Sequence, residues 1–258
     1  MGLYVVHERA WNKFTWGKNK ELTIQQQLQS LNQSAKHIKD LQELFSLVED
    51  HQLGKMCFST SLGQEDQVLT DFIFKNNIPI DIFTLDTGRL FQESYDVLSS
   101  TQKKYQKTIQ TFFPNDKEVE ELVAKQGING FYETVQNRKD CCTVRKINPL
   151  KRALQPYAVW VTGLRSEQSA NRSGFQIFAY DAQFEIIKFN PLLQWSYREV
   201  LDYIESHNVP QNSLHKQGYI SIGCAPCTRA ITAGEDPRAG RWWWETSHKE
   251  CGLHKTNN

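Results

Sequence analysis

The sequence predicts an α/β fold built on a doubly wound, mostly parallel sheet. Short apolar runs bounded by Gly, Pro or Asn alternate with stretches of helical spacing about a dozen residues long, the pattern of βαβ units with right-handed crossovers. Several runs also end in the same chemistry, Ser or Thr with Gly and Arg, where strands of such a sheet open onto a ligand. At 258 residues the chain is long enough for one large domain of this kind, or two small ones.

Taken in order, residues 1–50 are polar and rich in Gln and Lys. Leu28, Leu31, Ile38, Leu41, Leu44, Phe45 and Val48 fall at helical spacing and predict one or two amphipathic helices outside the main domain. Lys55 to Thr60, after Gly54, is a buried strand. Val68, Leu69, Phe72 and Ile73 mark a helix ending near Asn76, Asn77 and Pro79. A second strand covers Ile80–Leu85, a helix 93–105, a third strand Thr108–Phe112 and a helix 115–126. Ile147–Leu154 is helical and Ala158–Gly163 is a fourth buried strand. Ile177–Phe178 and Phe184–Phe189 form a hairpin, and Tyr197–Ser206 a helix. The expected division is a helical extension over 1–50, an α/β domain over 51–227 and a lid over 228–258.

An apolar share of 39% and a charged share of 23% fit an ordinary globular chain rather than a disordered one. Net charge is +1, so no global field recruits nucleic acid or a membrane surface, and any anion site is built locally. Met1 to Trp16 lacks the pattern of a signal peptide, and no run reaches the length of a membrane span. The expected compartment is the cytoplasm, with the six cysteines reduced.

The strand ends carry the anion-site candidates. Ser59 to Asp66 sets hydroxyls and Gly63 before a helix N-terminus, which suits a phosphate; a plain Ser/Thr helix cap is the alternative. Asp86-Thr87-Gly88-Arg89 and Thr162-Gly163-Leu164-Arg165, with Arg172 close behind, add two further ends of the same kind.

Five of the six cysteines lie in three compact groups: Cys141-Cys142, Cys224-Ala225-Pro226-Cys227, and Cys251 in Cys251-Gly252-Leu253-His254. A disulfide within the vicinal pair would be strained. Zinc ribbons use two C-x-x-C pairs, whereas adjacent thiolates suit two irons of a cubane cluster; cluster, zinc and plain thiols stay open on spacing alone. Pro226 stiffens its turn and Gly223 permits a close approach. Cys57, inside the first strand, reads as core. In the tail, Arg238 and Arg241 lie one turn apart and suit an anion, ahead of three consecutive tryptophans that cannot share one buried face. Cations near Cys251 would favour its thiolate, against the plainer reading of an incidental terminal cysteine.

In this order, Ser61-Leu62-Gly63-Gln64-Glu65-Asp66-Gln67-Val68-Leu69, Leu85-Asp86-Thr87-Gly88-Arg89-Leu90, Cys141-Cys142-Thr143-Val144-Arg145-Lys146, Thr162 to Ser169, Ile222 to Arg229, Gly234 to Glu245 and Glu250 to His254 form a specific set. With them the chain, from about residue 40 onward, resembles the assimilatory sulfonucleotide reductases, in particular the iron–sulfur, thioredoxin-dependent form that reduces adenylyl sulfate. The resemblance implies an adenine-nucleotide α-hydrolase-like fold with a modified pyrophosphate loop at Ser61–Asp66. It implies one [4Fe–4S] cluster on Cys141, Cys142, Cys224 and Cys227, and Lys146 between cluster and substrate. Arg172, Arg238 and Arg241 would hold the phosphosulfate, with Ser61, Gly63, Asp66, Thr87, Gly88 and Gly163 lining the nucleotide site. Cys251 would be the nucleophile, and thioredoxin or a similar dithiol protein the reductant, in assimilatory sulfate reduction and cysteine biosynthesis. Rival readings are the same reaction on the 3′-phosphorylated nucleotide, an ATP pyrophosphatase of the same fold, and a zinc-binding module. Against the pyrophosphatase, Leu62 and Gln67 stand in place of a glycine and the final serine of its loop. Nucleic-acid and membrane partners are not expected; homo-oligomerisation stays open.

Overall fold

The computed structural model describes residues 23–168 and 174–245. Two helices open it, α1 over 23–35 and α2 over Leu41–Asp50. The α/β core then alternates β1 (Met56–Thr60), α3 (Gln64–Lys75), β2 (Asp81–Leu85), α4 (Gln92–Tyr105), β3 (Gln110–Phe112) and α5 (Asp116–Gln126). After α6 (Val135–Cys142) and one π-helical turn (Thr143–Ile147) come α7 (Asn148–Leu154), β4 (Val159–Val161), the hairpin β5 (Phe178–Asp181) and β6 (Ile186–Phe189), and α8 (Tyr197–Ser206).

The strands form one sheet in the order β3-β2-β1-β4-β6-β5, parallel except for β5 against β6. The chain builds outward from β1 through β2 and β3, then returns to β1's other edge as β4. The order therefore reverses between β1 and β4, and a crevice opens beyond their carboxyl ends. This is the predicted doubly wound sheet, with most boundaries moved by one or two residues, β5 extended by three to Asp181, and α6 added where no helix was expected.

β1 is apolar over Met56–Phe58 and buried on both faces, and turns polar at Ser59 and Thr60 where it opens onto the crevice. Phe58 packs with α1, α2, α3 and α8 residues on one face, while Cys57 packs with Phe83, Leu150 and Trp160 on the other, as the two-residue period of a strand requires. Cys57 is fully buried and burial pushes its thiol pKa up, so the core reading of that residue holds. Leu28, Leu31, Leu41, Leu44, Phe45 and Val48 are all buried in the larger core. The two opening helices thus pack on one face of the sheet. Phe45 stacks on Phe72 at 5.6 Å and meets Phe189 edge-on at 5.1 Å. Each such buried side chain contributes roughly 1.5–3 kcal/mol.

Asp40 and Asn115 cap α2 and α5, and Ser196 forms a reciprocal capping box with Glu199 at the start of α8. The start of α3 is different. Its cap is Gly63, which has no side chain to offer, so the first N–H groups of α3 face the crevice without a side-chain cap.

Among the described residues, no helix is long and apolar enough to cross a membrane.

Candidate active site

The crevice at the β1/β4 reversal is a deep pocket. Ser61, Asp66 and Trp160 line it, with Gly163, Lys146, Arg238 and Arg241. Four separate chain regions therefore converge there, two of them the strand ends after β1 and β4.

The loop after β1 is held by its own side chains. Asp66 accepts hydrogen bonds from the Ser61 N–H and hydroxyl, both at 2.6 Å. It lies against Gly163 at the end of β4, where a Cβ would collide with its carboxylate. Burial raises the Asp66 pKa to about 6, partly offset by the Ser61 bonds. The alternative of a Ser/Thr helix cap fails here, because Ser61 serves Asp66 and Gly63 is the cap residue. Leu62 takes a left-handed φ of 63°. It occupies a glycine-like conformation without being glycine, a strain that the surrounding loop must hold.

Arg165 does not serve as an open anion site. Its guanidinium is buried and pairs with Glu65 at 2.9 Å and Glu167 at 3.2 Å, so its charge is already answered. Gly63 sits at the helix start beside Ser61 rather than on the pocket wall, and its N–H donates to Ser61 Oγ at 3.4 Å.

Thr87 and Gly88 point to a second, neighbouring cavity. Thr87 Oγ1 lies 3.2 Å from Cys224 Sγ, and Gly88, at a φ of 70°, lies beside the Arg145 guanidinium. That cavity is bordered by Cys141, Cys142, Cys224 and Cys227, with Arg89, Arg138, Arg145 and Lys146 around them. Cys141 and Cys142 end α6 immediately before the π-helical turn, which widens the helix and carries Arg145 and Lys146 on that turn. Cys224 and Cys227 flank a short 3-10 turn that begins with Ala225 and Pro226. All four are free thiols. Burial raises the Cys227 pKa to about 12, with the neighbouring thiols adding to the rise, and burial raises Cys141 in the same way.

The two cavities share Lys146. No other ionisable side chain borders both, among the described residues. It comes from the π-helical turn, four residues after Cys142.

Arg241 reaches the pocket by stacking its guanidinium on Trp242 at 4.9 Å and packing against Gly223. The close approach allowed by Gly223 is therefore that of an arginine. Arg241 Nε is buried with no acceptor among the described residues. The tryptophan run divides as its crowding requires: Trp242 is fully buried, Trp243 is 40% exposed and Trp244 lies between. Arg172 and Cys251 lie outside the described residues, so their expected roles rest on the sequence.

The four thiols fit a cluster in charge and in hydrogen bonding. Arg145 Nε and Trp244 Nε1 are buried donors without an acceptor among the described residues, and both lie next to the cysteines. A sulfur-rich anion among cations would satisfy them. No three His, Cys, Asp or Glu groups among the described residues converge closely enough to hold one metal ion.

Sequence reasoning missed three features of this region. Trp160 is anchored by its indole N–H to Ser59 at 2.7 Å and forms the pocket wall; it read as an ordinary core residue. Arg145 read as part of a motif with no role of its own, although it donates to the Thr87 carbonyl at 2.7 Å. Glu245 binds Arg138, and only its charge beside an aromatic run hinted at burial.

Residues 55–230 match the model of the phosphoadenosine phosphosulfate reductase domain. The chain is 51% identical over 205 residues to an adenosine 5′-phosphosulfate reductase of Allochromatium vinosum, covering 79% of this chain and 80% of that one. It is 48% identical over 202 residues to the enzyme of the same name from Agrobacterium fabrum, covering 78% of each. A crystal structure of phosphoadenylyl-sulfate reductase from Candida auris, in complex with phosphate, superposes with a TM-score of 0.68 at 27% identity, over 80% of this chain and 97% of that one. An FMN adenylyltransferase of Candida glabrata, at 16% identity and a TM-score of 0.52, shares the fold alone. With the domain model matched over residues 55–230 and relatives about half identical along some four-fifths of their own length, the chain belongs to the sulfonucleotide reductase family.

Proposed function

We propose that the protein reduces adenosine 5′-phosphosulfate to sulfite and AMP, with Cys251 as nucleophile and a reduced dithiol protein such as thioredoxin as electron donor. The observation that carries this reading is the pocket itself. Lys146, Arg238 and Arg241 gather on the nucleotide crevice, and Arg241 Nε has no acceptor among the described residues. Cations converging on one end of a nucleotide pocket suit the phosphosulfate group. The identity to relatives named for this reaction supports the same substrate.

In the first step the Cys251 thiolate attacks the sulfuryl sulfur and the bond to the phosphate oxygen breaks. AMP leaves with that electron pair, and the enzyme keeps an S-sulfocysteine. Arg238, Arg241 and Lys146 stabilise charge on the sulfuryl and phosphate oxygens, while the α3 N-terminus and the Ser61 loop hold the nucleotide's phosphate end. In the second step a thiolate of the dithiol protein attacks Cys251 Sγ and releases sulfite. Its second thiol resolves the mixed disulfide, so the two electrons come from the dithiol and Cys251 returns as a thiolate. Of the expected 228–258 lid, the part up to Glu245 packs against α6 and the Cys224–Cys227 turn, so the delivery of Cys251 to the pocket and its later presentation fall to the residues after Glu245.

Cys141, Cys142, Cys224 and Cys227 would hold one [4Fe–4S] cluster. When bound it would supply concentrated charge beside Lys146, tuning that residue's hold on the substrate. The proposed setting is the cytoplasm, in assimilatory sulfate reduction and cysteine biosynthesis.

The deciding experiment uses Cys251→Ser. It should bind the nucleotide as the parent does, yet form no covalent sulfonate adduct by mass spectrometry and release no sulfite. Turnover by this variant would refute the mechanism. The 3′-phosphorylated nucleotide is the competing substrate, favoured by the likeness to the Candida auris enzyme; comparing kcat/KM for the two nucleotides separates them.

A further inference from the structure

A buried ion pair outside the lining of the nucleotide pocket ties the root of the C-terminal segment to the helix that ends in Cys141 and Cys142. Arg138 on α6 donates from Nε to Glu245 Oε1 and from Nη2 to Glu245 Oε2, both at 2.8 Å. Each side chain is only 3% exposed. The guanidinium also lies over the Trp242 ring at 4.5 Å, and the Glu245 N–H donates to the Trp242 carbonyl at 2.9 Å. Trp242 in turn donates its backbone N–H to the Cys227 carbonyl at 3.1 Å. Through Arg138 and Trp242, the last described turn of the chain is fastened to both cysteine pairs.

Such a pair is a poor way to gain stability alone. Two buried charges must be desolvated, and apolar residues of the same volume would serve as well or better. What a two-pronged guanidinium–carboxylate contact adds is a fixed direction. Cys251 follows Glu245 by six residues, a span of at most about 20 Å. Where Glu245 is held therefore bounds how far from the pocket the thiol can lie and sets the direction from which its segment starts.

We propose that Arg138 and Glu245 are a positioning pair for Cys251, fixing the departure of the C-terminal segment relative to the nucleotide pocket through the helix that carries Cys141 and Cys142. The proposal rests on the reading of Cys251 as the nucleophile. Neither Arg138 nor Glu245 borders the nucleotide pocket, so loss of the pair acts on the approach of the thiol and not on nucleotide binding.

The test uses the full-length protein purified with its iron. Glu245→Gln should leave the KM for adenosine 5′-phosphosulfate within about twofold, lower kcat about tenfold or more, and slow single-turnover formation of the Cys251 adduct by the same factor. Iron per chain should stay at the parental level. Glu245→Asp, which keeps the charge and both oxygens, should recover most of the lost kcat. Bound AMP should shield Cys251 from alkylation less well in Glu245→Gln than in the parent, a readout that needs no turnover. A parental kcat in Glu245→Gln with only a lower Tm overturns the proposal. So does a raised KM at unchanged kcat, or a loss of iron with unchanged kcat per iron. Should Glu245→Gln not fold, Arg138→Lys keeps the charge but not the fork. Lower kcat at parental KM in that variant supports the pair, and parental kcat overturns it. Turnover by Cys251→Ser would refute the proposed function instead, and the alkylation comparison would still report on the pair.

Discussion

Gly163 and Asp66 approach so closely that a Cβ on the glycine would overlap the Asp66 carboxylate. Gly163 follows β4 and Asp66 lies in the first turn of α3, just after β1; these are the two neighbouring strands between which the sheet order reverses. Gly163→Ala must therefore push Asp66 off Ser61 or spread the loops apart. Overpacking of this kind costs about 1–3 kcal/mol, and the shift falls on the phosphate end of the pocket. Affinity for AMP, measured by calorimetry, should drop about tenfold, with the fold retained in circular dichroism. An unchanged affinity would mean that the nucleotide's phosphate does not sit between these loops.

Asp66 also sets a pH dependence. Burial raises its pKa to about 6, above the ordinary 3.8, so the folded protein holds this proton more tightly than the unfolded chain does. The stability it contributes is complete below the ordinary value and is lost as pH rises through about 6. An ionised Asp66 also repels a phosphate, so AMP affinity should weaken over the same window. Asp66→Asn should flatten that slope. Calorimetric titrations at a series of pH values on either side of 6 would check it; a parental slope in the variant would assign the dependence to another group.

The alternation of apolar runs and helical spacings was enough to read the sheet and its helices, because β1, β2 and β4 are short and covered on both faces. The convergence of Ser61, Asp66, Gly163, Arg238 and Arg241 was legible from the strand ends and the motifs. Other parts were hidden for physical reasons. Leu62 conceals a left-handed backbone position, since only glycine announces one in a sequence. Thr87 and Gly88 end a strand like the others, yet face the cysteines, because the loop after β2 carries Thr87 toward Cys224. Arg165 looked free because one partner, Glu65, comes from the first turn of α3 a hundred residues away, and the other, Glu167, from a short 3-10 turn that composition does not announce. The π-helical turn over Thr143–Ile147 has no compositional signature, and it is what lets Lys146 border both cavities.

Gly223 gives a contrasting case at the other side of the pocket. A Cβ there would overlap the Arg241 guanidinium, the flexible end of a long side chain. Gly223→Ala should therefore displace Arg241 without unfolding the turn that holds Cys224 and Cys227. The expected result is a KM for adenosine 5′-phosphosulfate raised about tenfold, the scale of one charge-assisted contact, with iron content unchanged. Steady-state kinetics beside iron analysis would separate this from damage to the cysteine site, which would lower both together.

Cys57 and Cys227 are both buried, yet removing their sulfurs should have opposite consequences. Cys57 lies in β1 against Trp160 and Leu150, on the far side of the strand from the main core, with no other thiol in that cluster among the described residues. Cys57→Ala should keep the parental iron and sulfide per chain and cost only the stability of a small cavity, about 1–2 kcal/mol by denaturant unfolding. Cys227 shares its cavity with Cys141, Cys142 and Cys224, and its carbonyl accepts the Trp242 N–H. Cys227→Ala should lose iron and sulfide, and with them the charge that the buried Arg145 Nε and Trp244 Nε1 are placed to meet. Loss of iron in Cys57→Ala, or full iron and sulfide in Cys227→Ala, would move the cluster away from these four thiols.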